Sequence, residues 1–393
     1  MRRLLVVCAG VLSALALGCA ESPAPEAPLL QLTQELRLDA DTEDFSAVGR
    51  IYVGPRREIV VPLRQDMQIR IYDSTGARIA AIGRQGEGPG EFRSLGLVGW
   101  VADTLWVYDI RIQRLTFVSP AGEYLRSVSL PWAMSGDTIT GAGVTGRMGF
   151  ASPLALFTDG TMLAEARLMP LNEQQPDSDW PARVFVLATF DGDARLVQQP
   201  PAYEDERWFM TVAGFGRDIP FAGQPLFAAT SDGQRFAHLV TEVTSSEGGT
   251  YTLSMFNGSG DTAFVRSYPF RGVPIPQSAA DSAIEAERNT GGREGPSDLN
   301  ERFARVARER MPPVYAPVQA MVLGLDGTTW LTLRDSDEGR VVLVLDATGD
   351  VIGRVVLPEG ATLRQAIRSQ IWVTQADADG LVSVVRYRVQ LGA

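Results

Sequence analysis

Lysine does not occur in this 393-residue chain: its 36 basic residues are all arginine and face 47 acidic ones, for a formal charge of −11. Neutralising a phosphate backbone needs a basic excess, so nucleic acid is excluded as a partner. Histidine occurs once, at His238, and cysteine twice, at Cys8 and Cys19. Disulfide frameworks, thiolate zinc sites and multi-histidine metal sites therefore cannot be built. No apolar run reaches the roughly twenty residues that a spanning helix needs. What the chain does contain is 45% hydrophobic and 21% charged residues, with a mean hydropathy near zero. That is core material for a globular fold and excludes both disorder and a multi-span membrane protein. Length alone suggests two or three domains, unless one fold grows by repeating a unit.

Residues 1–19 read as an export signal. Arg2 and Arg3 give the positive end, and Leu4 to Leu17 an apolar run of the right length for its hydrophobic stretch. The run ends in Ala16-Leu17-Gly18-Cys19, which resembles the bacterial lipobox, although Ala16 stands where that motif usually has leucine. The resemblance implies a lipid on Cys19, contact with membrane lipid through it, and a place in the bacterial cell envelope, at the outer membrane or periplasmic face. An ordinary secretory peptide cleaved nearby is the alternative. At ~0.8 kcal/mol per buried methylene, two or three acyl chains anchor a protein stably where one does not. Residues 20–28, Ala-Glu-Ser-Pro-Ala-Pro-Glu-Ala-Pro, form a stiff, solvated tether.

From residue 29 one unit recurs: an apolar strand, a tight turn, then a second strand with a large residue near its start. The turns fall at Arg57-Glu58, Ala102-Asp103, Asp159-Gly160, Asp232-Gly233, Asp326-Gly327 and Arg368-Ser369, and the anchors after them are Val60, Trp106, Leu163, Phe236, Trp330 and Trp372. Third strands alternate with period two, as in Ile69-Arg70-Ile71-Tyr72 and Val341-Val342-Leu343-Val344-Leu345, and turns such as Asp73-Ser74-Thr75-Gly76 lead to a fourth. The sixth unit ends after its third strand, Leu381 to Leu391, while Leu29 to Leu38 is a strand without a unit. Pairing the two predicts an all-β, six-bladed propeller over residues 29–393, closed by its N-terminal strand in the last blade. A pair of sandwiches is the rival all-β arrangement.

The stretch from Val107 to Phe117 resembles the NHL repeat, with Asp109 after the second strand and Arg114 before the third. Gly83-Arg84-Gln85-Gly86-Glu87-Gly88-Pro89-Gly90-Glu91-Phe92 is similar to the interblade segment of NHL-like six-bladed propeller lipoproteins of bacteria, in the TolB-like and NHL propeller superfamily. The match covers residues 48–130, and blades three and four depart most. It implies the fold and export but lends no single chemistry. Asp109 and Arg114 read as a structural pair bracketing a turn, and Trp106, Phe236, Trp330 and Trp372 as packing between blades.

Excess length collects in a helical insertion between blades four and five, residues 277–311. Gln277 to Arg288 is rich in alanine and glutamate. Asn289-Thr290-Gly291-Gly292 breaks it, and Ser297 or Asp298 caps a second helix with Glu301 placed for a capping box. Leu299, Phe303, Val306 and Arg310 share one face. The insertion either lies over the central channel as a lid, through Leu299, Phe303 and Val306, or decorates the surface.

The remaining motifs dissolve on inspection. Gly86-Glu87-Gly88-Pro89-Gly90 has no lysine, carries glutamates that repel phosphate, and precedes no helix. Gly141-Ala142-Gly143-Val144-Thr145-Gly146 spells a dinucleotide fingerprint, but Gly149 and Pro153 follow where a helix should, so it reads as a loop. Gln375 to Gly380 lacks the first and twelfth ligands of a calcium loop, and with Arg334 to Gly339 reads as an interstrand turn. His238 shares a strand face with Phe236 and reads as packed. Two functions remain. One is a non-catalytic binding or scaffold module for a protein, peptide or glycan. The other is a metal-dependent hydrolase or lactonase resembling the gluconolactonase propellers, with carboxylates in the channel. Oxygen ligands alone can hold calcium, but only Glu165 stands at a suitable strand position. No catalytic residue, metal ligand or cofactor is assigned.

Overall fold

Period-two apolar patterning and polar turn residues dictate antiparallel strands, and strands dominate the chain. The computed structural model describes residues 27–45, 48–130, 138–141, 144–169, 183–190, 196–198, 208–212, 215–230, 232–290 and 298–390. The signal, Cys19 and most of the tether lie outside them, as do Ser297 and Gly291-Gly292.

Strand β1 (Gln31–Leu38) and the short helix α1 (Ala40–Glu43) open the chain. Sheet I holds β2 (Tyr52–Val53), β3 (Ile59–Leu63), β4 (Gln68–Tyr72) and β5 (Arg78–Ile82). Sheet II holds β6 (Leu95–Val101), β7 (Thr104–Asp109), β8 (Arg114–Val118) and β9 (Tyr124–Ser129). Sheet III has five strands: β10 (Thr138–Gly141), β11 (Val144–Leu156), β12 (Thr161–Met169), β13 (Arg183–Thr189) and β14 (Leu196–Gln198). A separate ribbon follows, β15 (Phe209–Val212) and β16 (Phe215–Asp218). Sheet IV holds β17 (Leu226–Ala229), β18 (Arg235–Ser245), β19 (Gly248–Asn257) and β20 (Thr262–Arg271). Helices α2 (Gln277–Asn289) and α3 (Asp298–Arg310) precede sheet V, which is β21 (Val318–Leu323), β22 (Thr329–Leu333), β23 (Val341–Leu345) and β24 (Val351–Val356). The last three strands are β25 (Ala361–Ile367), β26 (Gln370–Ala376) and β27 (Val382–Gln390), and β1 pairs antiparallel with β27, Gln31 opposite Gln390 and Leu38 opposite Val384, to give sheet VI. The chain is thus predominantly β, in several four-stranded antiparallel sheets.

The first strands of successive sheets touch, with β11 taking that place in sheet III behind the extra strand β10: β6 with β11, β11 with β17, β17 with β21, β21 with β25, and β25 with β2. Apolar clusters fill the spaces between sheets. Trp330, Val342 and Val344 meet Leu363, Ile371 and Val385 between sheets V and VI, and Trp372 with Val384 meets Ile59, Val61 and Tyr72 between VI and I. Val60, Ile69 and Ile71 meet Leu95, Val98 and Trp100 between I and II. All six anchors are 0–1% exposed, and burying a large side chain of this kind contributes roughly 1.5–3 kcal/mol. Trp106 lies so close over Gly99 that a Cβ there would come within 2.5 Å of its ring, which fixes glycine at that point of β6.

Three expectations need correction. The Gly141–Gly146 stretch is not a loop; it spans the end of β10 and the start of β11, a hairpin whose central residues 142–143 lie outside the described set, and it gives sheet III a fifth strand. The ribbon β15–β16 has no counterpart in the four-strand unit. The buried face of α3 is Asn300, Phe303, Ala304 and Ala307, with Leu299 and Val306 half-buried at its margin and Arg310 exposed. Alanines allow the helix to approach its neighbours closely, so the contact stripe follows residues 300, 303, 304 and 307 and not the bulkiest apolar ones.

Candidate functional site

Strict antiparallel alternation sorts the connections of each sheet onto two edges. Turns from first to second and from third to fourth strand share one edge, and all other connections leave from the opposite edge. The first edge is tight. Several of its described turns are locked by side-chain oxygens: Asp73 Oδ1 accepts from the Thr75 and Ala77 amides and the Thr75 hydroxyl, and Asp346 does the same for Thr348 and Asp350. Asn257 accepts from the Asp261 amide in sheet IV. Such local bonds favour the turn over extended alternatives.

The second edge carries the elaboration: residues 39–51, the glycine-rich stretch 83–94, the ribbon, and both helices. At 83–94 the charges hold backbone. Asp109, fully buried, accepts from the Arg93, Arg111 and Ile112 amides at 2.6, 3.0 and 3.3 Å. Arg114 donates to the carbonyls of Glu87, Gly88 and Glu91 at 2.6, 3.2 and 2.5 Å. Glu91 accepts from the Gly88 amide and the Arg84 guanidinium, which together hold its carboxyl below the usual range. Asp109 and Arg114 stand opposite each other in register, but their side chains do not bond to each other; each grips the glycine-rich stretch separately.

The helices form a small module with the ribbon. Met210, Val212 and Ile219 pack with Ile284, Phe303, Ala304 and Ala307. Arg217 of β16 ties both helices, donating to Glu287 Oε2 at 3.0 Å and Asn300 Oδ1 at 2.6 Å with its guanidinium 4.1 Å from the Phe303 ring centre. The insertion rises from a stem in which Ile275 donates to Pro313 and Tyr315 to Val273. Tyr315 then meets Phe221 edge-on at 5.2 Å, with the Arg334 guanidinium 3.4 Å from its ring centre. The residues singled out as a lid thus face this satellite core, through Phe303 above all.

Beside sheets V and VI the same edge carries three arginines that sequence patterning did not single out. Arg340 pairs with both oxygens of Asp335 at 3.0 Å and donates to the Ala361 carbonyl and Thr362 hydroxyl. Arg364 donates from Nε to Thr374 Oγ1 at 2.8 Å, and Arg50 lies near it, just ahead of β2. Burial, then repulsion from Arg50 and Arg340, draws the Arg364 pKa down. The one available signal was the lapse of alternation in Ala361 to Ile367, where Gln365 and Ala366 are both buried.

His238 is 1% exposed on β18 and stacks on Phe227 at 4.7 Å, and burial depresses its pKa to about 3. Among the described residues no group of three His, Cys, Asp or Glu side chains could hold a metal ion. Asp377, in the Gln375–Gly380 turn, accepts from the Asp379 and Leu381 amides. Glu165 lies on β12 opposite Phe185. No helix among the described residues is long and apolar enough to cross a membrane.

No family model and no curated protein matches the sequence. Among solved structures, a member of the DUF4221 family from Bacteroides vulgatus is similar over 93% of this chain and 100% of its own, at 12% identity and a TM-score of 0.55. Weaker likenesses include virginiamycin B lyase from Staphylococcus aureus, at 10% identity over 91% of this chain and 99% of its own with a TM-score of 0.40. Regucalcin from Agrobacterium tumefaciens, a calcium-binding protein, is 12% identical over 93% of this chain and 97% of its own with a TM-score of 0.41. At 12% identity the DUF4221 structure speaks to fold and not to activity.

Proposed function

We propose that this chain is a six-bladed propeller of the cell envelope, closed by β1 in its last blade and anchored by lipid on Cys19, that works as a non-catalytic binding or scaffold module. Its partner is a protein, peptide or glycan met at the edge that carries the helices. The observation that supports this most is the asymmetry of the connections among the described residues: those on one edge are short turns, and the long insertions leave from the other. Loops held on a rigid scaffold are where binding residues concentrate. The N-terminal pairing of β1 with β27 supports closure, and the lipobox-like Cys19 supports the anchor. A packed His238 whose pKa is near 3 is a poor general base at neutral pH.

The test begins with Cys19→Ser, expected to move the chain from the membrane to the soluble fraction. That released protein is then screened on arrays of envelope peptides and glycans, with and without residues 277–311. Saturable binding that weakens at least tenfold on deletion, with the sheets still folded, is the expected result. Unchanged fractionation contradicts the anchor, and binding indifferent to the deletion contradicts the assigned edge.

A further inference from the structure

Arg364 sits where β25 departs from regular pairing. Leu363 stands opposite Val373 and Gln365 opposite Trp372, so Arg364 is the extra residue of a β-bulge on the first strand of sheet VI. Bulges re-aim one side chain and recur beside functional sites. The side chain is half-buried, and among the described residues one of its five N–H donors is engaged, Nε, on the Thr374 hydroxyl. Among the described residues neither Arg364 nor Arg50 makes an ion pair, while Arg340 is already matched by Asp335.

Arg364 thus lies half-buried beside Arg340, their guanidiniums on the register partners Thr374 and Thr362, with the exposed Arg50 nearby and Asp335 the one acidic partner among the three, in a chain whose overall charge is −11. Like charges held close repel, and partial burial weakens the screening by water. The same fold shows that it can neutralise arginines when structure is the purpose: Arg217 has Glu287, Arg388 has Glu35, and Arg354 has Glu338. An approaching oxyanion would relieve the repulsion and meet the unused donors of a planar fork, the geometry that suits carboxylate and phosphate.

We propose that Arg364, assisted by Arg50, forms a binding site for an oxyanion-bearing ligand, a carboxylate or phosphate group, at the edge of sheet VI, with Arg340 held alongside by Asp335. This deepens the binding reading by naming the chemistry recognised, and rests on that reading only for the choice of edge.

The test is calorimetric titration of the full-length, detergent-solubilised protein with inorganic phosphate and, separately, with succinate, at constant ionic strength set by chloride. Saturable binding of at least one anion is expected, weakened tenfold or more by Arg364→Met and several-fold by Arg50→Met. Arg364→Lys should recover part of the loss, and Arg56→Met, on the opposite edge, should bind as the unaltered protein does. Preference for phosphate or for succinate identifies the source of the oxyanion. Thermal melting of each variant checks the fold. No saturable binding of either anion, or equal binding by a folded Arg364→Met, overturns the site without touching the peptide and glycan screen, whose failure would in turn leave anion titration unaffected.

Discussion

The boundary between sheets I and II and the boundary between sheets V and VI use the same residue type to opposite ends. In the first, Arg114 spends its guanidinium on three backbone carbonyls and Asp109 its carboxylate on three backbone amides, so a glycine-rich stretch with few side chains of its own acquires a fixed path. In the second, Leu357-Pro358-Glu359-Gly360 is short and needs no such clasp, and Arg364 keeps most of its donors. An ionisable group consumed by backbone is structural; one left over beside like charges is available for a ligand. His238 shows a third fate, in which burial suppresses the charge altogether.

The comparison can be broken first at Asp109. Asp109→Ala orphans three amides at once, with an expected loss of about 3 kcal/mol in chemical denaturation. A change under about 0.5 kcal/mol would show that the clasp does not shape the stretch. A smaller effect, confined to acid, is expected from His238. Its folded pKa of about 3 lies below the ordinary histidine value, so the unfolded chain takes up the proton first. Stability contributed by the neutral ring is present above pH 6.5 and falls as pH drops toward 3, with about 2 kcal/mol lost by pH 5. His238→Phe should flatten that slope relative to the unaltered protein, and parallel slopes would contradict a buried neutral ring.

The sheets were legible because their causes are local. Period-two strands and turns such as Asp73 to Gly76 and Asp346 to Gly349 carry their own hydrogen-bonding instructions, and β4, β8, β19 and β23 cover the third strands that alternation marks out. The N-terminal donor was readable only by subtraction, as a strand left over opposite a unit one strand short. What escaped depends on contacts distant in sequence. The ribbon β15–β16 buries its apolar side only because α2 and α3 supply the other half of its core. The face of α3 turned toward Ala304 and Ala307 because close approach outweighs side-chain size there. Arg364 is set apart by a register shift between β25 and β26, and a register is a property of two strands together. Asp109 and Arg114 were visible as a pair in the sequence; that they hold a third segment instead of each other was not.

The account rests on β1 completing the sheet of the last three strands, and a cross-strand disulfide tests this most directly. Thr33 and Arg388 are direct partners in the antiparallel register, and opposed residues of such pairs lie within disulfide reach. Thr33→Cys with Arg388→Cys should give an intramolecular crosslink on mild oxidation, seen as faster migration on a non-reducing gel, with a melting temperature equal to or above that of the reduced form. Absence of the crosslink, or crosslinks formed only between molecules, would contradict closure of the fold by its first strand.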